Sequence, residues 1–82
     1  MFSKILRQLR IEHNLSQSEL GKELNLAQRT ISNYESGNRF PNEIILNLIA
    51  DYFNVSMDYL LGRTYLKKYN IKHVRKSKKD LK

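Results

Sequence analysis

The sequence predicts an all-α domain of five short helices, and three observations carry that expectation. Apolar residues recur at spacings of three and four along successive stretches, the pattern of helices with one buried face. Capping and left-handed stop residues punctuate those stretches at intervals too short for any long helix. No run alternates apolar and polar residues as a half-exposed strand would.

From Phe2 to about His13, the residues Phe2, Ile5, Leu6 and Leu9 form a stripe, with Lys4, Arg7, Gln8 and Glu12 on the polar face. Asn14 is the expected stop, because Asn tolerates positive φ better than most residues, and Leu15 then re-enters the core. Ser16 and Glu19 spell the S-x-x-E capping box of a second helix, about Gln17 to Leu24, with Leu20 and Leu24 facing inward. Gly21 costs about 1 kcal/mol of helix propensity relative to Ala, so its presence predicts close approach of another helix backbone. Asn25 turns the chain, Leu26 plugs the corner, and a third helix runs from after Ala27 to Tyr34 or Glu35 with Ile31 and Tyr34 buried.

Gly37 is placed to close the third helix, and the NRFPN loop leads to Asn42, the N-cap of a fourth at about Glu43 to Phe53. That helix is apolar on two faces. Leu46, Ile49, Ala50 and Phe53 form one stripe, while Ile45, Leu48 and Tyr52 form a neighbouring one that needs a cover. Ser56 caps a fifth helix, Met57 to about Leu61, and Gly62 ends it. The expected organisation is a domain over residues 1–62 and a basic C-terminal extension over 63–82. Tyr65, Leu66 and Tyr69 are expected to extend the helical packing before the charged run beyond Val74 turns mobile.

With 82 residues the chain has room for one modest core but not for a core, a substrate cleft and a lid. It contains no cysteine, so neither disulfides nor thiolate metal sites contribute. No apolar run approaches the roughly 20 residues of a bilayer span, and the opening MFSKILRQLR lacks the apolar core of a signal peptide. A cytoplasmic location follows as the expectation. The net charge of +7 is unevenly spread. Residues 1–62 hold six Lys/Arg against seven acids, whereas residues 63–82 hold nine against one. A high pI therefore says little about the globular part, and any case for nucleic acid must come from pattern.

That pattern lies between Gln17 and Ser36. A helix-turn-helix needs apolar residues and one small residue inside the helix pair, and polar side chains on the outside of its second helix that can reach base edges. Leu20, Leu24, Leu26, Ile31 and Tyr34 supply the inside with Gly21 as the small residue; Gln28, Arg29, Ser32 and Asn33 face out, with Thr30 near the rim. The stretches LRQLRIEHNLSQSELGKEL, ISNYESGNRFP and LIADYFNVSMDYLL together resemble the phage Cro and repressor (XRE-type) family of helix-turn-helix domains, over about residues 2 to 62. Two positions depart mildly from the family pattern: Gly21 stands where Ala is usual, and Asn25 where Gly is common. Both satisfy the same steric demand.

The residue chemistry suggests roles. Gln28 and Asn33 carry amides suited to adenine, and Arg29 a fork suited to guanine, each such pair being worth about 1 to 3 kcal/mol of discrimination. The plainer alternative is a solvated helix face, and the resemblance favours DNA contact. Gln17, at the start of the second helix, suits a backbone phosphate or simple capping. The resemblance implies backbone contacts from Ser36, Asn38 and Arg39, and a partly buried ion pair between Arg10 and Glu35 that fixes the third helix against the first.

His13 and His73 have no partner at metal-ligand spacing, and Tyr34, Tyr52 and Tyr59 fall on packing faces rather than stacking platforms. No glycine-rich phosphate loop, nucleophile turn or paired carboxylate is present, so neither an enzyme nor a cofactor or metal site is expected. The expected partner is double-stranded DNA with a two-fold symmetric operator, bound by a homodimer acting as a transcriptional regulator, with repression the expected sign. The expected dimer surface is the fifth helix with the Ile45, Leu48, Tyr52 stripe and the Tyr65, Leu66, Tyr69 extension. The basic tail suits added phosphate contacts, a solubilising end or a linker. By the resemblance, the source is a bacterial cytoplasm or a phage. The alternative function is a protein-interaction module, such as an antitoxin, on the same fold.

Overall fold

In the computed structural model, which describes residues 1–67, five helices follow one another: α1 (Phe2–Glu12), α2 (Gln17–Leu24), α3 (Gln28–Ser36), α4 (Glu43–Phe53) and α5 (Met57–Leu60). The described residues contain no strand. Side-chain caps set three of the starts. Ser16 Oγ accepts from the Glu19 amide at 3.0 Å while Glu19 Oε1 accepts from the Ser16 amide at 2.8 Å, completing the capping box. Asn42 Oδ1 takes the Ile45 amide at 2.9 Å, and Ser56 Oγ the Tyr59 amide at 3.0 Å. Left-handed residues make the stops: Asn25 (φ 59°), Gly37 (φ 84°) and Asn54 (φ 56°) follow α2, α3 and α4 directly. Asn14 (φ 58°) comes one residue after His13, which caps α1, so that helix ends slightly earlier than the sequence suggested.

Leu6, Leu9, Leu20, Ile31, Ile49 and Leu60 are the fully enclosed side chains, one or two from each helix, and together they make a single core. α2 and α3 pack on one another along the turn, α1 crosses α3, and α4 closes the core from the far side with α2 and α5. Phe2 ties the start of α1 to the end of α3, with ring centroids 6.3 Å from Tyr34 and 5.3 Å from Phe40.

Two expectations need revision and two are sharpened. The backbone that approaches Gly21 is that of the turn and of the first residue of α3: a Cβ there would lie 2.6 Å from the Leu26 carbonyl oxygen and 3.4 Å from the Gln28 nitrogen. The uncovered face of α4 is shifted by one residue. Ile45 and Tyr52 pack against the core, whereas Ile44 is 77% exposed and Leu48 is also exposed. Tyr52 leans on Phe53 with centroids 5.0 Å apart, and burial, with Glu23 as a lesser cause, holds its phenol above the ordinary range. Residues 63–67 run as bends rather than as further helix, and Tyr65 is 99% exposed with Leu66 also exposed. Tyr69 and the charged tail lie outside the described residues. Finally, α5 is one turn that stops at Leu60, with Leu61 as its cap.

Candidate nucleic-acid interface

Two backbone carbonyls, of Gly21 and Asn33, and one ion pair hold α3 in place. At its front, the α2–α3 turn passes so close over Gly21 that the Leu26 amide donates to the Gly21 carbonyl at 2.7 Å. At its back, the Asn33 carbonyl receives the Asn38 and Arg39 amides, at 3.0 and 3.2 Å, and the Ser36 hydroxyl at 3.1 Å. The loop is thereby folded onto the end of the helix, and Ser36 belongs to α3 rather than to that loop.

Between these ends sits the Arg10 guanidinium. Its Nε reaches Glu35 Oε2 at 2.6 Å, one Nη reaches Glu35 Oε1 at 3.0 Å, and the other donates to the Leu15 carbonyl at 2.8 Å. The two side chains are 13% and 4% exposed, so the bidentate pair is nearly withdrawn from water. The hydrogen bonds to Glu35 hold the guanidinium above its ordinary range, burial opposing. The pair predicted from the resemblance is present, and it locks α1, the α1–α2 loop and α3 into one unit.

The nominated residues lie at the start of α2, along α3 and in the loop after it, in different settings. Gln28, Arg29, Ser36, Asn38 and Arg39 are exposed, while Thr30, Ser32 and Asn33 are half-buried along the flank of α3. Gln17 is not simply turned to solvent. Its Nε2 donates to Glu35 Oε1 at 3.1 Å, and its Oε1 accepts from Gln28 Nε2 at 2.8 Å. Ala27 supplies no side-chain cap to α3, unlike Ser16, Asn42 and Ser56 at their helices. The first α3 amides are thus left to solvent or a ligand.

Arg7, which the sequence placed only on the polar face of α1, has a more particular setting. It joins Arg10, Gln17, Ser32, Glu35 and Ser36 around a shallow concavity where α1, α2 and α3 meet. Its signal was the spacing of three from Arg10, which puts both cations on one edge of α1. Arg7, Arg29 and Arg39 have no carboxylate partner within salt-bridge distance among the described residues, so their charge is available to a polyanion. His13 is exposed, with its Nδ1 2.9 Å from the Leu9 carbonyl and its ring edge-on to Phe53 at 4.8 Å. Among the described residues no helix is long and apolar enough to cross a membrane.

A polar helix held outward by a capped partner across a tight turn, with basic side chains at its rim, defines a helix-turn-helix DNA-binding domain. A family model described as Helix-turn-helix matches residues 6–60. The chain belongs to the Cro/repressor-like (XRE-type) helix-turn-helix family of transcriptional regulators. It is 40% identical over 61 residues to the HTH-type transcriptional activator BcrR of Enterococcus faecalis, covering 74% of this chain and 30% of that protein. It is 36% identical over 67 residues to the HTH-type transcriptional regulator ImmR of Bacillus subtilis (strain 168), covering 82% and 53%. The chain thus spans about a third to a half of these relatives' lengths. A crystal structure of a transcriptional regulator from Listeria innocua superposes with a TM-score of 0.72 at 30% identity, over 93% of this chain and 70% of that one.

Proposed function

We propose that the chain reads specific double-stranded DNA sequences by laying α3 in the major groove, as a homodimer on a two-fold symmetric operator in the cytoplasm. The observation that carries this reading is the division of labour on α3. Gln28 and Arg29 are exposed at its start, while Glu35 at its end is fastened to Arg10. Arg29 takes a guanine, Gln28 and Asn33 take adenines, and Thr30 and Ser32 line the flank. Gln17, Ser36, Asn38, Arg39 and Arg7 seat the helix against phosphates.

A domain this small spans only a few base pairs, and two copies about one helical turn apart supply the missing specificity. Ile44 and Leu48, one turn apart on α4, are apolar side chains left in water that a second copy can cover. Repression is the sign of regulation that occupancy alone produces, since a bound operator blocks access to a promoter. BcrR carries the opposite sign in its name, so a promoter fusion measured with and without the protein decides it.

Selection from a random DNA pool tests the reading as a whole. The expected product is a palindrome with half-sites about one helical turn apart. A pool that converges on no sequence overturns it in favour of an antitoxin-like module on the same fold. Sedimentation over a range of concentrations, free and on the selected operator, tests the dimer; a strict monomer in both overturns it.

A further inference from the structure

The outer face of α4 is apolar along its middle and acidic at its ends. Ile44, 77% exposed, and Leu48, also exposed, stand one turn apart, with Glu43 and Asp51 exposed on either side of them. The helix carries no Lys or Arg. A second copy seated with its own α4 antiparallel on this face would bring Ile44 opposite Leu48, but it would also bring Glu43 opposite Asp51, two carboxylates without a cation. That contact would be small as well, four apolar side chains in all, where a stable interface takes about 20 residues a side. The bare helix pair therefore needs a further element that is both basic and apolar.

The sequence after Lys67 has that composition. Residues 68–75, KYNIKHVR, set Ile71 and Val74 three apart and Lys68, Lys72 and Arg75 at steps of four and three, with no acid among them. The described chain also ends where this segment can be delivered. The Lys67 carbonyl accepts from the Ser56 amide and its ammonium holds Glu12 at 3.2 Å, which fixes Lys67 near the C-terminal end of α4, since Ser56 lies just past the cap Asn54. Its own Ile44 is about 15 Å back along the helix from that end. In an antiparallel pair, by contrast, the C-terminal end of one α4 lies over the N-terminal half of the other. We propose that residues 68–75 of each copy dock along α4 of the other, Ile71 and Val74 against Ile44 and Leu48 and the three cations beside Glu43 and Asp51, so that the exchanged segments close the dimer. This step rests on the homodimer reading and gives it a surface.

The chain has no cysteine, so introduced ones report the contact cleanly. Full chains carrying Leu48→Cys or Val74→Cys, one of them tagged so that the two separate on a gel, are mixed and oxidised at a concentration where sedimentation shows a dimer. A mixed disulfide is expected, and none when Lys22→Cys, exposed on α2, takes the place of Leu48→Cys. Lys72→Glu with Arg75→Glu is expected to weaken association about tenfold, and adding Glu43→Lys with Asp51→Lys to restore it. If no mixed disulfide forms and the chain carrying both Leu48→Cys and Val74→Cys closes on itself as a monomer, the segment covers its own α4 and the exchange is overturned. No disulfide in either experiment, or association unmoved by the charge reversal, overturns the docking while a parent that sediments as a dimer keeps the homodimer reading. A parent that is a strict monomer, free and on the selected operator, overturns both.

Discussion

Helices α3 and α4 solve opposite problems with opposite means. α4 buries four of its eleven residues, Leu46, Ile49, Ala50 and Phe53, and α3 only two of nine, Ile31 and Tyr34. At roughly 1.5 to 3 kcal/mol for each large apolar side chain buried, α4 is held by non-directional packing that tolerates small shifts. α3 has given most of its surface to polar residues and cannot be held that way. It is fastened by directional contacts instead: the bidentate pair to Arg10, the Gln17 bridge, and the Asn33 carbonyl that gathers the following loop. A helix meant to be read by a partner has few apolar anchors to spend, so its orientation depends on a handful of charged and amide groups.

The sharpest way to break that contrast is Glu35→Ala. It leaves a guanidinium only 13% exposed without its counter-charge, which costs about 3 to 5 kcal/mol. A drop in melting temperature on the order of 15 °C is expected, together with weakened binding to the selected operator. A variant that melts within a degree or two of the parent would show that packing alone holds α3. In α4, Ile49→Ala is expected to cost about 3 kcal/mol through the cavity it opens, with base preference unchanged once the protein is folded. Altered preference in that variant would erase the distinction between the two helices.

Arg29→Ala removes an exposed side chain of α3 and should leave the melting temperature nearly untouched. Its expected effect is a loss of about 1 to 3 kcal/mol of discrimination at one base pair, read by competition with singly substituted operators. Ser56→Ala removes a cap far from α3, and denaturant unfolding should show a loss of about 1 kcal/mol.

The smallest effect is expected where α1 meets the chain after α5. Glu12 accepts from Lys67 Nζ at 3.2 Å and from Gln8 at 3.3 Å, and these hydrogen bonds, Lys67 first, hold its carboxyl below the usual range. A carboxyl whose folded value is depressed stabilises above its unfolded value, and that contribution disappears as pH falls through the folded one. Lys67→Met should therefore melt slightly below the parent at neutral pH and together with it in acid. Equal melting at every pH would mean that this exposed contact contributes nothing.

The helices were legible because their signals are local. Ser16 with Glu19, Asn42 and Ser56 announce starts, and Asn25 and Gly37 announce stops, through hydrogen bonds and φ angles that span a few residues. The inward residues of α1, α2 and α3 followed from spacing alone. The ion pair was legible in another way, since nothing in the spacing of Arg10 and Glu35, 25 residues apart, joins them, and the family resemblance did.

Other features depend on how separate helices cross, and those only the tertiary structure decided. The periodicity of α4 admits two apolar faces, and only packing against α2 and α5 chose which was covered, leaving Ile44 and Leu48 in water. Gly21 signalled a close approach but not its source, because the Leu26 carbonyl comes near only when the turn is closed. Gln17 read as a cap or a phosphate contact from its place at a helix start; its position between Glu35 and Gln28 exists only once α1, α2 and α3 are assembled. Short-range chemistry wrote the elements, and the long-range meeting of four polar side chains oriented the polar helix α3.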